Sequence, residues 1–362
     1  MTDICMIQAV YCSKELLDKL EEKEYPVHSS FAHGFNLLIE DRLCFIGNKN
    51  FALTPYGILL KKSDIVDLAQ KVKLKDMIFR WCKKEQYFIS VNQEEEHFIR
   101  ENQEKEEQII ISCKYTLIFS SFLEKNEKFS STSAIELIQR EVDINWMTGF
   151  GKSIRDLKYG KDNKISKFLD FMKYSDLMNQ RTDFYERISV KKSLQMIEAD
   201  ENKDEILYSL IGYGNGLTPA GDDFILGILF VRKMIEINGE NKFSTSSSVS
   251  SPLQISEITR LNCDSFSNRS EFLKIKHDCT QWEDSLYKIL SRKVTTDVSL
   301  HQYRCAFENL FHEDILLLYQ GICEKNQKLI KTSIEKIVQI GHTSGKDFLA
   351  GMIITMKYFD SI

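Results

Sequence analysis

Residues 211–230 run IGYGNGLTPAGDDFILGILF. Four glycines, Gly212, Gly214, Gly216 and Gly221, fall within ten residues between two stretches of helical spacing. Glycine permits the positive φ that turns successive backbone N–H groups into one concavity. Thr218 followed by Pro219 predicts a helix start, because threonine caps free N–H groups and proline at the first helical position loses nothing. A helix N-terminus behind a glycine loop is a ready site for phosphate or carboxylate. The stretch is not a Walker A loop, since it lacks GK[ST], and not a dinucleotide fingerprint, since no clear strand precedes it. The plainer reading is a tight helix–loop–helix connection with a capping box. Glycine in excess of what a turn needs favours the ligand site.

Residues 340–354, IGHTSGKDFLAGMII, repeat the pattern. Aligning Gly221 with Gly345 pairs Asp223 with Asp347, Phe224 with Phe348 and Gly227 with Gly351. Each copy follows a helical stretch ending in glycine, Gly212 or Gly341, and each opens an apolar helix. Gly227 and Gly351 fall in mid-helix, where glycine costs ~1 kcal/mol relative to alanine. That cost predicts a close backbone approach, and the two helices are expected to cross there. Their N-termini would then share one cleft faced by Thr218, Asp223, Thr343 and Asp347, with Thr295, Thr296 and His28 as additions. The alternative is chance, since G-x-D-F is short.

Asp222 and Asp223 complicate an anion site, because carboxylates in the first turn already satisfy the helix dipole. Either one aspartate is a structural cap, or the pair binds a divalent cation such as Mg²⁺ that also touches the anion. His342, flanked by Thr343, Ser344 and Lys346 in a glycine turn, is placed to donate to an oxyanion or move a proton. The expected catalytic residues are therefore His342, Asp223 and Thr218. The expected phosphate and substrate ligands are Gly214, Gly216, Gly221, Thr343, Ser344, Gly345, Asp347, Thr295, Thr296 and His28. Asp222 is the candidate metal ligand. Near the start, His28, Ser29, Ser30, His33 and Asn36 adjoin an apolar strand, but a Ser–His pair with no carboxylate partner is a poor nucleophile.

Working outward, helical spacing dominates from about residue 160. It recurs in 165–178, 203–212, 222–237, 282–293, 298–311, 327–340 and 346–359. The first 150 residues differ. LCFIG (43–47), YGILL (56–60), QYFISV (86–91) and IIISCKYTLIFSSF (109–122) predict strands, and 14–24 and 62–82 predict amphipathic helices. The expectation is an α+β protein: a β-rich domain over 1–155 and a helical domain over 156–362. Residues 92–108 are expected to be a charge-rich connector or hairpin tip, and the Ser-rich stretch around 238–272 is expected to be a mobile insertion.

The chain of 362 residues is long enough for two domains and a real core. Its 43% hydrophobic and 28% charged content is that of a globular protein, and a net charge of -5 disfavours nucleic acid as a partner. No apolar run approaches a membrane span, and the acidic start predicts no leader. Nine cysteines without CxxC spacing argue against a disulfide framework or zinc site and for a reducing cytoplasm.

HSSFAHGFNL (28–37), GNGLTPAGDDFILG (214–227), VTTDVSLHQYRCAF (294–307) and GHTSGKDFLAG (341–351) occur in this order. The set resembles the bacterial family of the AllH-type subunit of oxamate carbamoyltransferase, over most of the chain except 92–108 and 238–272. It departs from that family at Asn215, where proline is more usual, and in the Ser-rich stretch. The resemblance implies a hetero-oligomeric transferase of anaerobic allantoin breakdown, converting oxalurate and phosphate to oxamate and carbamoyl phosphate. Such chemistry asks for a held phosphate, a polarised carbonyl and an oriented oxamate, with no covalent nucleophile. The STRT-type phosphate motif of the familiar carbamoyltransferases is absent. A non-catalytic anion-binding or scaffold subunit is the competing reading, and a metal-dependent hydrolase built on Asp222 and Asp223 is the third.

Overall fold

A computed structural model describes residues 3–74, 77–91, 107–130, 210–238, 281–292 and 294–360, with isolated positions at 134, 137, 138, 207 and 208. The chain divides into two compact units, Met1–Leu123 with Cys305–Tyr319, and Glu124–Arg304 with Gln320–Ile362.

The N-terminal unit is a ten-stranded mixed sheet. Its strands are β1 (Asp3–Gln8), β2 (Tyr11–Ser13), β3 (Glu24–Phe31), β4 (Gly34–Ile39), β5 (Arg42–Asn48), β6 (Gly57–Leu60), β7 (Ile78–Cys82), β8 (Tyr87–Val91), β9 (Glu107–Ser112) and β10 (Leu117–Phe119). The order is β1-β9-β8-β7-β3-β4-β5-β6-β2-β10. Only Ala9 and Val10 separate β1 from β2, although these strands lie near opposite ends of that order. The sheet therefore curls until its ends meet: the Ala9 N–H donates to Ser112 O and the Val10 N–H to Leu59 O, both at 2.8 Å. Tyr25, Phe35, Ile46, Phe79 and Phe88 fill the inside of the curl. Two helices, α1 (Lys14–Lys19) and α2 (Lys62–Leu74), accompany the sheet. Ser13 caps α1 by accepting from the Leu16 N–H.

Residues 305–319 complete this unit. Phe122 bridges Leu310, the Leu123 N–H donates to Asn309 O at 2.7 Å, and Arg42 pairs with Glu308. Cys305 and Leu310 join the same apolar core.

The strand-rich N-terminal half and helical C-terminal half agree with the α+β expectation. The element boundaries differ from it in places. The helix expected over 14–24 stops at Lys19, because Tyr25, 1% exposed, is drawn into the core by pairing with Phe79. The helix expected over 62–82 stops at Leu74. Beyond it Phe79 and Trp81 are buried around exposed Arg80, a strand period inside an apolar run. The long strand expected over 109–122 is two short ones. Strands β1 and β2, and the helix at 313–324, were not anticipated. The domain boundary expected near 155, the 165–178 helix, the 92–106 connector and nearly all of the Ser-rich stretch lie outside the described residues.

In the C-terminal unit the described helices are α3 (Ala220–Asn238), α4 (Gln281–Leu290), α7 (Gln327–Val338) and α8 (Ser344–Asp360), with the first part of α5 (Asp297–Phe307) and the end of α6 (Glu313–Glu324). α3 is buried from Gly221 to Ile235 on every face, and among the described helices its main neighbour is α8. The helix α7 is amphipathic, burying Ile330, Ile334 and Ile337, and Asn326 caps it. Among the described residues no helix is long and apolar enough to cross a membrane.

Candidate site at two adjoining helix N-termini

The two G-x-D-F stretches fold alike. Each is entered through a glycine in the left-handed region, Gly212 at φ +70° and Gly341 at φ +58°. In each, the glycine of the new helix donates its N–H back into the turn, Gly221 to Tyr213 O (2.9 Å) and Gly345 to Ile340 O (3.2 Å). In each, the aspartate closes the first turn, Asp223 N–H to Pro219 O (3.2 Å) and Asp347 N–H to Thr343 O (2.9 Å). Gly221 and Gly345 sit against backbone: a Cβ would stand 1.8 Å from Leu210 O and 1.6 Å from Ile337 O respectively.

α3 and α8 cross at the expected pair. A Cβ on Gly227 would meet Phe348 O, and one on Gly351 would meet Phe224 O. Since Phe224 and Phe348 are themselves equivalent in the repeat, the contact is reciprocal, as a local two-fold requires. At the helix starts, Thr218 Oγ1 and Ser344 Oγ share a 2.8 Å hydrogen bond. The two N-termini therefore meet.

The sequence expects Thr218 to cap α3. Instead Pro219 O receives the N–H groups of Asp222 and Asp223, Tyr213 O receives that of Gly221, and the Thr218 hydroxyl is left for Ser344 and Asp223. The first copy is also longer. Tyr213–Leu217 form an excursion absent from the second, with Gly214 and Gly216 at φ +117° and +115°. Tyr213 and Leu217 are exposed, and nothing lies within 4 Å of a Cβ placed on Gly216.

Asp222 is fully buried and its carboxylate accepts from three donors: the Gly212 N–H (2.9 Å), Tyr303 Oη (3.1 Å) and Thr295 Oγ1. Burial beside this carboxylate pushes the Tyr303 hydroxyl well up, which keeps it a donor. Thr296 Oγ1 donates to Leu217 O at 2.5 Å and accepts from the Ser299 N–H at 3.1 Å, capping α5. The 294–303 segment thus buttresses the glycine excursion. Tyr303 was not singled out in the sequence: Thr295 lies before the start of α5, so no helical spacing links the two.

Asp223 is 5% exposed. Burial pushes its carboxyl up to about 8; the neighbouring carboxylates Asp347 and Asp222 push the same way, against the hydroxyls of Ser344 and Thr218. Its Oδ2 is buried without a hydrogen-bond partner. Asp347 is fully buried. His342 is exposed in its turn, and Thr343 and Ser344 are half-buried. His28 belongs to the other unit, on β3, with Nδ1 3.2 Å from Ser29 Oγ. Among the described residues no three His, Cys, Asp or Glu side chains are grouped to hold a metal ion.

A family model described as oxamate carbamoyltransferase subunit AllH matches residues 210–356, which contain both turns and the buttress. A second, the AllH family N-terminal domain, matches residues 8–96 of the curled sheet. No curated protein and no solved structure matches the chain. With both family models matched in order over well over half of its length, the chain belongs to the AllH family of oxamate carbamoyltransferase subunits.

Proposed function

We propose that this subunit takes part in the phosphorolysis of oxalurate to oxamate and carbamoyl phosphate, in anaerobic purine breakdown in the cytoplasm. A phosphate oxygen attacks the carbamoyl carbon, the bond from that carbon to the oxamate nitrogen breaks, and the nitrogen takes up a proton. The observation that carries this reading is the meeting of the two helix N-termini at Thr218 and Ser344, inside the segment matched by the subunit family. Two positive helix ends at one point favour the negative charge that gathers on the reacting oxygens.

In this reading the exposed loop with Gly214 and Gly216 receives phosphate, with Thr343 and His342 beside the second turn. Asp223, held protonated through neutral pH by its burial, is a source of the proton the leaving nitrogen needs. Asp222, engaged by three donors, positions the loop. Gly221 and Gly345 serve packing, and Asp347, Ser344, Thr295 and Thr296 shape the turns.

A second reading is favoured by Tyr213 and Leu217, 62% and 53% exposed on the loop. Large apolar side chains at the mouth of a polar site suit a partner subunit that closes it, and this chain would then supply anion binding or scaffold alone. The test is carbamoyl phosphate formation from oxalurate and phosphate, with the chain alone and with the products of neighbouring genes. Activity that needs the partners and is lost in Asp223→Ala supports a catalytic subunit. Activity retained in Asp223→Ala and His342→Ala within the complex leaves the scaffold role. Carbamoyl transfer absent from every assembly refutes both.

A further inference from the structure

Asp223 Oδ2 and Ser299 Oγ, the latter on a residue with no exposure at all, are buried polar atoms without a hydrogen-bond partner. Buried polar atoms are nearly always paired, and an orphan lowers stability unless something fills its place. The two orphans belong to one neighbourhood. Ser299 and Tyr303, four apart, share one face of α5. Tyr303 on that face and Thr295, just before the helix begins, both donate to Asp222, the immediate neighbour of Asp223.

The charge of this neighbourhood decides what can enter it. Three carboxyl groups, Asp222, Asp223 and Asp347, interact on the buried side, behind the helix ends, so a phosphate or a second carboxylate is disfavoured there and kept to the outer side. A neutral planar amide is not. It brings an N–H for the Asp223 carboxyl oxygen and a carbonyl for the Ser299 hydroxyl, so each orphan gains a partner. The anionic part of the same molecule is left for the glycine loop, where backbone N–H groups and no carboxylates are exposed. We infer that Asp223 and Ser299 form the specificity pocket for the neutral amide or ureido end of the substrate, and that the phosphate binds apart from them at the Gly214–Gly216 loop. This rests on the function proposed above and adds which group goes where. Both atoms are closed to solvent, so entry requires the turn packed on the start of α3 to move. Gly214, where a Cβ would stand 2.9 Å from the Ala220 nitrogen, is the contact that has to part.

Calorimetry on the full chain assembled with its partner subunits tests this with three probes: oxamate, oxalate and inorganic phosphate. Oxamate and oxalate differ only in an amide against a carboxylate. Oxamate is expected to bind at least about tenfold tighter than oxalate, since a carboxylate has no N–H for the Asp223 oxygen and adds a charge beside it. Ser299→Ala should weaken oxamate roughly five- to tenfold, leave phosphate unchanged and not lower the melting temperature, because the hydroxyl removed was unpaired. Should that variant not fold, Ser299→Cys makes the same comparison. Equal binding of oxamate and oxalate, or oxamate binding indifferent to Ser299, overturns the inference and leaves the proposed function standing; the orphans then hold water only. Failure of the assembled complex to bind either oxamate or phosphate overturns the proposed function and the inference with it.

Discussion

Gly227 rests directly on the carbonyl oxygen of Phe348, so closely that a Cβ there would stand 2.0 Å from it. Gly351 rests in the same way on Phe224 O, at 1.9 Å. Real Cβ atoms do not come this near to a carbonyl oxygen, and the obstacle is backbone that no rotamer change can move. The crossing explains why two mid-helix positions keep the residue that stabilises a helix least.

Gly227→Ala and Gly351→Ala are therefore expected to destabilise the protein. Alanine gains ~1 kcal/mol of helix propensity. Overpacking costs ~1–3 kcal/mol and more against fixed backbone, so a net loss of about 2 kcal/mol is expected. The two substitutions act on one contact, and the double variant should lose less than the sum. Urea titrations of the three variants measure this, and unchanged midpoints would refute the crossing.

The Asp222 hub predicts a second set of losses. Tyr303→Phe and Thr295→Val each remove a donor from a fully buried carboxylate, a loss of ~1.5–3 kcal/mol. Asp222→Ala also frees the Gly212 N–H. Hydrogen exchange at that amide should accelerate in Asp222→Ala and stay protected in Gly216→Ala.

The raised carboxyl of Asp223 sets a pH dependence. Its folded value, about 8, lies above the ordinary aspartate value of 3.8, so between these the folded state holds a proton the unfolded state has released. The stability this group contributes is whole below the unfolded value and is lost as pH rises towards 8, by at most about 1.4 kcal/mol per pH unit. Melting temperature should fall from pH 5 to pH 8, and Asp223→Asn, which cannot ionise, should flatten that slope. An equal slope in the variant would show that Asp223 is not the titrating group.

Gly216 separates folding from binding. At φ +115° a β-branched residue is strained, yet the position has open space around it. Gly216→Val is expected to cost ~1–3 kcal/mol of stability through backbone strain and to abolish phosphate binding by reshaping the loop. Phosphate calorimetry at a temperature where the variant is folded decides it.

The sequence displayed the helix pair plainly, because its signal is local: G-x-D-F twice, each behind a glycine. Gly227 and Gly351 could be matched by eye for the same reason. Asp222 was harder. As a residue type it is equally a cap, a metal ligand or a hydrogen-bond hub, and only the distant Thr295 and Tyr303 distinguish these. The N-terminal sheet was partly hidden. β3 begins in the charged run Glu21–Glu24, and β7 lies in an apolar stretch where helical and strand periods overlap. Burial of Tyr25 and Phe79 decides both, and burial is a property of the pairing across strands. Nothing local announced that Cys305–Tyr319 complete the N-terminal core, since that contact spans most of the chain.

That last contact has a consequence for biosynthesis. While the ribosome is still making the chain between residues 123 and 305, the curled sheet lacks Cys305 and Leu310 from its core and the partner of Arg42. At ~5–20 residues per second the wait is on the order of ten to forty seconds. The first half of the molecule therefore cannot finish folding before the second is nearly synthesised. A gene fragment cut after Leu123 yields a sheet whose core is permanently open, and the nascent chain has a long interval in which that opening is exposed to chaperones and to other nascent chains.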